Sequence, residues 1–275
     1  MTDRGLPTVP SAAHPAEDGL SLDLVGVSVA FGGNQVLEDL NTSFRTGFTG
    51  LIGPNGAGKT TLLNVICGFV SPTSGTALLG GDDLTGLGAM HVAKTGVSRT
   101  FQTPRLIEDL TVIDNVLLGF HRLYRVGHVR ELFGSRQART TEKEHRARAQ
   151  DLLGSFGLGA FVHQPAASLP LGSQKIVEVV RALVAAPRAL LLDEPAAGLG
   201  AADVDAMLEG LAATVDSTQV VAVIIEHDLA LVSRLCPRAA VLHFGHIIAE
   251  GTPASVLDDP VVVDAYLGVD HAARG

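Results

Sequence analysis

The ten residues GPNGAGKTTL, Gly53 to Leu62, constrain the fold of this chain more than any other stretch. They fit the pattern G-x-x-x-x-G-K-[ST], with Gly53, Gly58, Lys59 and Thr60 at the fixed positions. Gly53, Gly56 and Gly58, with Pro54, Asn55 and Ala57 between them, let backbone N–H groups turn inward and form an anion-binding concavity. The residues that follow, TTLLNVIC, are predicted to form a helix whose positive N-terminal end points at bound phosphates. Lys59 is expected to reach the β- and γ-phosphates, and the Thr60 hydroxyl to take one Mg2+ position; Thr61 joins them in the first turn. The apolar TGLI before the glycines is the strand that such a loop requires. A plain glycine-rich turn between a strand and a helix is the competing reading; with the pattern complete, the strand before it and the helix after it, the stretch reads as a nucleoside triphosphate site.

At 275 residues and 46% apolar, the chain can build one large α/β domain with an inserted lobe, or two modest domains. The longest purely apolar run, Val220 to Ile225, is far too short to span a bilayer. The N-terminus is polar and proline-rich without a signal segment, so a soluble, non-exported chain is expected. The two cysteines, Cys67 and Cys236, show neither metal nor redox spacing and read as reduced core residues. A net charge of −9 argues against a surface that tracks nucleic-acid phosphates. The ten histidines are scattered, without H-x-x-x-H spacing.

Residues 1–19 hold Pro7, Pro10 and Pro15 among Ser, Ala and Gly, and are expected to form a flexible tail. A strand pattern, SLDLVGVSVAF, is turned by Gly32-Gly33-Asn34 into a second, QVLEDLNTSF, and these antiparallel strands lead into the phosphate-loop strand. TSGTALLGGDDL then reads as strand and turn, and GVSRTFQ as a short strand. From Arg105 to about Ser168 the spacing becomes helical, with Leu152, Leu153 and Phe156 on one face, as in an inserted helical lobe. The charges between Arg139 and Arg148 are read as its solvated side. KIVEVVRALV places Ile176, Val179, Val180, Leu183 and Val184 on one stripe, while ALLLDEP and QVVAVIIEHD are buried-strand runs that end in acids. In an open parallel sheet, ligands bind beyond the carboxyl ends of the strands. Asp259-Pro260 caps a closing helix, VVVDAYL, expected to stop at Gly268.

Asp193, at the end of ALLLD, would reach the Mg2+ shell, and Glu194 would stand beside the γ-phosphate and polarise a water for in-line attack. Helix-capping acids are the competing reading, which the phosphate loop disfavours. His227 after IIE would hydrogen-bond the γ-phosphate, or serve as a structural strand-end histidine. Gln102 would complete the metal shell, or cap a loop. Phe31, upstream of the phosphate loop, offers either a flat face for a nucleobase or an ordinary core side chain.

Over nearly all of residues 20–268 the order of these motifs resembles that of the ATP-binding cassette ATPases. In that resemblance Phe31 is the adenine-stacking aromatic, GPNGAGKTT the phosphate loop, Gln102 the Q-loop glutamine and LPLGSQ the signature motif. LLLDEP carries the Mg2+ aspartate and the catalytic glutamate, AAGLG is the D-loop, and His227 is the switch histidine. No N-K-x-D motif is present, which disfavours a GTPase. RTFQTPRLIEDLTVIDNVLLG, the LPxG form of the signature, EPAAGL, IIEHDLALV and EGTPASVLDDPVVVDAYLG look like the branched-chain amino acid transporter ATPases, with urea and amide relatives sharing much of them.

The resemblance implies an α/β fold: a P-loop NTPase (RecA-like) core with a mostly parallel sheet, an N-terminal antiparallel β subdomain and an inserted helical lobe. The expected division is a tail at 1–19, the first core part with the β subdomain at 20–104 and the lobe at 105–172, ending in the signature. The second core part then runs over 173–250 and a helical tail over 251–275. It also implies ATP and Mg2+ as cofactors, with Lys59, Gln102, Glu194 and His227 catalytic and Thr60, Gln102 and Asp193 at the metal. Leu171, Gly172 and Ser173 would contact the nucleotide held by a second cassette, identical or different. Membrane permeases and, indirectly, a solute-binding protein would complete an importer, with this chain peripheral on the cytoplasmic face and no nucleic-acid partner. Phe101, Leu106 and Ile107 are the apolar positions expected to meet the permeases. A regulatory cassette without a transport partner and a cassette that binds ATP with little turnover are the other readings.

Three departures from the family pattern stand out. Pro170 and Ser173 replace the serine and glutamine of Leu-Ser-Gly-Gly-Gln, and Pro170 has neither hydroxyl nor N–H for a phosphate. Gly200 stands where the D-loop usually has Asp or Asn. The stretch between Phe44 and the phosphate loop is a few residues short, which puts a hairpin there in doubt. A weak signature and D-loop beside a complete phosphate loop, Asp193, Glu194 and His227 predict two unequal ATP sites in a paired assembly.

Overall fold

The computed structural model describes residues 19–123 and 136–272; the expected tail therefore lies, apart from Gly19, outside the described residues. The strands are β1 (Ser21–Phe31), β2 (Asn34–Arg45), β3 (Gly47–Ile52), β4 (Ser74–Leu79), β5 (Asp82–Asp83), β6 (Val97–Arg99), β7 (Ala189–Asp193), β8 (Val221–Ile225), β9 (Arg238–His243) and β10 (His246–Gly251). The α-helices are α1 (Lys59–Ile66), α2 (Ala89–Thr95), α3 (Val112–Leu117), α4 (Arg136–Ser155), α5 (Leu171–Leu183), α6 (Ala201–Asp216), α7 (Leu229–Leu235), α8 (Pro253–Leu257) and α9 (Pro260–Ala272).

Two sheets organise these elements. The larger has the order β10-β9-β3-β8-β7-β6, parallel from β9 to β6 and antiparallel only at the β10 edge. The smaller, β2-β1-β4-β5, is antiparallel throughout. β7 and β8 are buried at every position, because both faces of the large sheet are covered. Successive strand side chains point to opposite faces. Leu190, Leu192, Ala222 and Ile224 accordingly enter a core shared with α5, α6 and the lobe side chains Val112, Leu153 and Phe156. Leu191, Val221, Val223 and Ile225 enter a second core, with Leu22 and Leu37 of the small sheet and Leu62 and Ile66 of α1.

The helical periodicities hold. Ile176, Val179, Val180, Leu183 and Val184 are all buried, as are Leu153 and Phe156, with Leu152 packed partly against them. Between β1 and β2, Gly32 and Gly33 both take positive φ (53° and 87°), the two-residue hairpin that the Phe31–Asn34 pairing requires. The short stretch before the phosphate loop is not a hairpin. Only Thr46 separates β2 from β3; β2 pairs with β1, while β3 pairs with β8 and β9, so the chain crosses there from one sheet to the other.

One boundary differs from expectation. Asp259 does cap the closing helix, accepting a hydrogen bond from the Val261 N–H at 2.8 Å, but α9 continues through Gly268 to Ala272. A glycine inside a helix costs about 1 kcal/mol relative to alanine, and that alone does not end one. Among the described residues no helix is long and apolar enough to cross a membrane.

Candidate functional site

The glycine loop begins where β3 leaves the middle of the large sheet, between β8 and β9. Gly53 has φ 151°, and a Cβ there would lie 2.0 Å from the Leu242 carbonyl oxygen, so the strand on that side admits only glycine. Gly58, at φ 108°, is the N-cap of α1 and leaves no room for a side chain against Leu37 and the Val36 carbonyl. Lys59 then lies in the first turn of α1, and its ammonium donates to the carbonyls of Gly53 (2.6 Å) and Pro54 (3.0 Å). Burial pulls the pKa of Lys59 below the ordinary lysine value, while the carboxylates of Glu194 and Asp193 pull it back up.

β7 delivers the acids. Asp193, its last residue, is buried; its N–H donates to Thr100 Oγ1, one carboxylate oxygen pairs with Arg99 at 2.8 Å, and the other is buried without a partner. Glu194 follows at φ 49°, a left-handed conformation uncommon outside glycine and asparagine, and its N–H donates to the Ile225 carbonyl of β8 at 3.0 Å. That bond extends the β7–β8 ladder by one residue, and the positive φ ends the strand at Glu194. Its Oε1 meets His227 Nε2 at 2.9 Å and accepts from the Gln102 amide at 3.3 Å. His227 is set by the start of α7, where Asp228 caps the helix by accepting from the N–H groups of Ala230 and Leu231.

Lys59, Gln102, Glu194 and His227 thus come from four separate segments to line one cavity of about 280 Å³, with Val36, Asn55, Gly56, Ala57, Gly58, Thr60, Thr61 and Ile225. A donor-rich glycine loop faces a carboxylate oriented by an amide and an imidazole. This arrangement can hold a polyphosphate and activate a water next to it. Asp193 suits a divalent cation, since its second carboxylate oxygen is buried and unbonded. Among the described residues no three His, Cys, Asp or Glu side chains gather as a metal-binding set. Mg2+ is usually held by one or two protein groups together with substrate phosphates, which a lone aspartate plus Thr60 would satisfy.

Gly53, Pro54, Asp193, Phe31 and the three residues Leu171, Gly172 and Ser173 are outside the set that lines that cavity. Phe31 lies at the β1–β2 turn with 52% of its surface exposed, which removes the core reading. Its ring is outside the set that lines the cavity. Leu171, Gly172 and Ser173 form the first turn of α5, which starts at Pro170 with no side-chain cap. The first bond along this helix runs from Gln174 N–H to the Pro170 carbonyl, so the three preceding N–H groups lie ahead of the helix's own ladder. Gly200 is the N-cap of α6, likewise without a side chain.

Several residues here carry no motif of their own. Lys175, on α5, donates to the Ala197 carbonyl at 2.5 Å and so ties the signature helix to the loop after Glu194. Glu178, three residues along the same helix, accepts from the N–H groups of Phe101 and Arg105 on either side of Gln102 and pairs with Arg181 at 3.1 Å. Their only sequence signal is a charge interrupting an apolar stretch. Glu226 is also buried; it accepts from the Ala196 N–H at 2.9 Å, and burial raises its pKa above that of a free glutamate.

The Glu226 shift has a testable sign. The folded state holds the proton to higher pH than the unfolded chain, so stability falls as pH rises from about 4.5 through the folded value. Glu226→Gln keeps the accepting oxygen and removes the desolvated charge. It is expected to raise the melting temperature at pH 7.5, with the advantage shrinking toward pH 4.5, as thermal unfolding across that range would show.

The ABC transporter family profile matches residues 37–197, and a second profile, described as branched-chain amino acid ATP-binding cassette transporter, matches residues 246–272. The chain is 36% identical over 248 residues to the high-affinity branched-chain amino acid transport ATP-binding protein BraF of Pseudomonas aeruginosa, covering 90% of this chain and 97% of that protein. It is 37% identical over the same length and shares to the corresponding LivG protein of Escherichia coli. Among solved structures, a nucleotide-free ATP-binding cassette of an ABC transporter aligns with TM-score 0.76 and 30% identity, covering 90% of this chain and 98% of that one. A cassette in its ADP conformation aligns with TM-score 0.75 and 29% identity, covering 90% and 99%. With Gly56, Gly58, Lys59 and Thr60 of the phosphate loop lining one cavity together with Gln102, Glu194 and His227, these likenesses identify the chain as a member of the ABC transporter ATPase family.

Proposed function

We propose that this chain is the ATP-hydrolysing subunit of an importer for branched-chain amino acids, docked on membrane permeases at the cytoplasmic face and paired with a second cassette. The observation that carries the solute assignment is the C-terminal match over residues 246–272, alongside the BraF and LivG likeness over nearly the whole chain. The urea and amide alternatives differ in solute and not in chemistry. Uptake of labelled leucine, urea and short amides by cells with and without this chain tests the assignment: leucine uptake should fall when it is removed, and loss of urea or amide uptake instead would overturn it.

In this reading the triphosphate lies along the glycine loop, and Lys59 exchanges the Gly53 and Pro54 carbonyls for phosphate oxygens. Bound Mg2+ would neutralise charge on the β- and γ-phosphate oxygens, with Thr60, Asp193 and Gln102 as the residues that hold it. Glu194 accepts a proton from the attacking water, held in orientation by Gln102 and His227 through its Oε1. Phe31 stacks on the adenine. The N–H groups of Leu171, Gly172 and Ser173 meet the nucleotide of the opposite cassette, and its charge draws the two together. After hydrolysis that anchor weakens, and the lobe at 105–172 and the Gln102 loop pass the motion to the permeases through Phe101, Leu106 and Ile107.

The two sites of a mixed pair are unequal in this account, because the Pro170 signature and the Gly200 loop serve the partner's nucleotide. Glu194→Gln in this chain should lower total turnover of the assembled transporter far more than the matching change in the partner cassette. Steady-state ATPase of the two variant complexes decides this, and equal losses would contradict it.

A further inference from the structure

Asp193 and Thr60 sit on different elements, β7 and α1, and both are assigned to the same Mg2+. One side chain spans the two elements. Arg99, the last residue of β6, donates through Nη2 to the Asp193 carboxylate at 2.8 Å and through Nη1 to Asn64 Oδ1 at 2.6 Å. Asn64 lies four residues after Thr60 on α1, on the same face one turn along. β6 is hydrogen-bonded to β7 with Arg99 opposite Leu191, so the backbone that carries the guanidinium is itself fixed to the strand that ends in Asp193.

The pair is dry, with side-chain exposures of 6% for Arg99 and 3% for Asp193. An isolated charge buried to that extent is costly, and each group compensates the other. The same bond also selects between the two carboxylate oxygens: Oδ2 is taken by Arg99, and Oδ1 is left buried and unbonded. Cys67, at the end of α1, adds no competing charge beside the guanidinium, because burial pushes its thiol up to about 11 even though Arg99 pulls it down. On its other side the guanidinium carbon stands 5.3 Å from the centre of the Phe101 ring, next to Gln102.

We infer that Arg99 is a positioning residue for metal binding: its fork bridges Asn64 and Asp193, sets the span between Thr60 and Asp193, and turns the free carboxylate oxygen toward the metal. The inference rests on the ATP-binding reading of the site. It requires a planar fork with two separate donors, which lysine lacks even though it carries the same charge.

The test is equilibrium binding of ATP to the full chain by calorimetry, first in chelator and then across a Mg2+ titration. Substitutions behind a metal ligand typically cost about 10–100-fold in metal affinity. Arg99→Lys is expected to raise the Mg2+ concentration for half-saturation by about tenfold or more, with metal-free ATP affinity within about twofold of the parent. Asn64→Leu, which leaves the Arg99–Asp193 pair intact, should move the requirement in the same direction by a smaller factor, and it carries the test if Arg99→Lys does not fold. Equal weakening with and without Mg2+ would mean a purely structural role. A shift for Arg99→Lys with none for Asn64→Leu would confine the effect to the Arg99–Asp193 bond and leave the bridge to α1 without a role, and either result overturns the inference. If the unmodified chain showed no Mg2+-dependent ATP binding at all, the ATP-site reading itself would be the one to fail.

Discussion

Glu194→Gln should abolish most ATP turnover while leaving ATP bound. A positioned general base contributes about 10²–10⁴-fold to rate, and a loss in that range is expected in kcat. The geometry makes the substitution clean. Glu194 owes its place to backbone, through its left-handed φ of 49° and the bond from its N–H to Ile225, and neither depends on the side chain's charge. Glutamine retains an oxygen to meet His227 and Gln102, so the cavity keeps its shape and loses only the proton acceptor. Single-turnover and equilibrium binding measurements separate the two effects. A parallel loss of ATP affinity would assign Glu194 to nucleotide binding instead.

The second large effect is expected at Lys59. Lys59→Met keeps the apolar stem that packs in the first turn of α1 and removes the ammonium that bonds Gly53 and Pro54. Hydrogen bonds to charged groups contribute about 1.5–3 kcal/mol, which corresponds to a loss of roughly 10–150-fold in ATP affinity. Melting in the absence of nucleotide should change little by comparison, because the loop's fold rests on the backbone of Gly53 and Gly58 against Leu242 and Val36. A ligand that binds only the folded chain raises the melting temperature with concentration, so ATP should shift the parent protein and leave Lys59→Met almost unmoved. An equal shift in both would remove Lys59 from the phosphate contacts.

Much of the site was legible because its pieces are local. The glycine loop, its strand and its helix are contiguous, and ALLLDEP and VVAVIIEHD announce doubly buried strands by their unbroken apolar runs. The convergence of Gln102, Glu194 and His227 was legible only as a family resemblance, since their contacts cross more than thirty positions of chain. Phe31 shows the limit of pattern: a strand-end aromatic reads equally as core or as platform, and only its exposure excludes the first. Lys175, Glu178 and Arg99 were not legible, because periodicity places a charge on a face but does not reveal the carbonyl or carboxylate that partners it. Gly268 misled for a similar reason, as a glycine marks a helix end only where the chain also turns left-handed.

All of these expectations depend on a triphosphate lying between the glycine loop and Glu194. The most direct measurement is a crystal structure of Glu194→Gln with ATP and Mg2+. The γ-phosphate is expected in the cavity lined by Gln102 and His227, with the Lys59 ammonium moved from the Gly53 and Pro54 carbonyls onto phosphate oxygens and the free Asp193 oxygen directed at the metal. A nucleotide bound elsewhere, or one in that cavity with Lys59 still on the two carbonyls, would contradict this expectation.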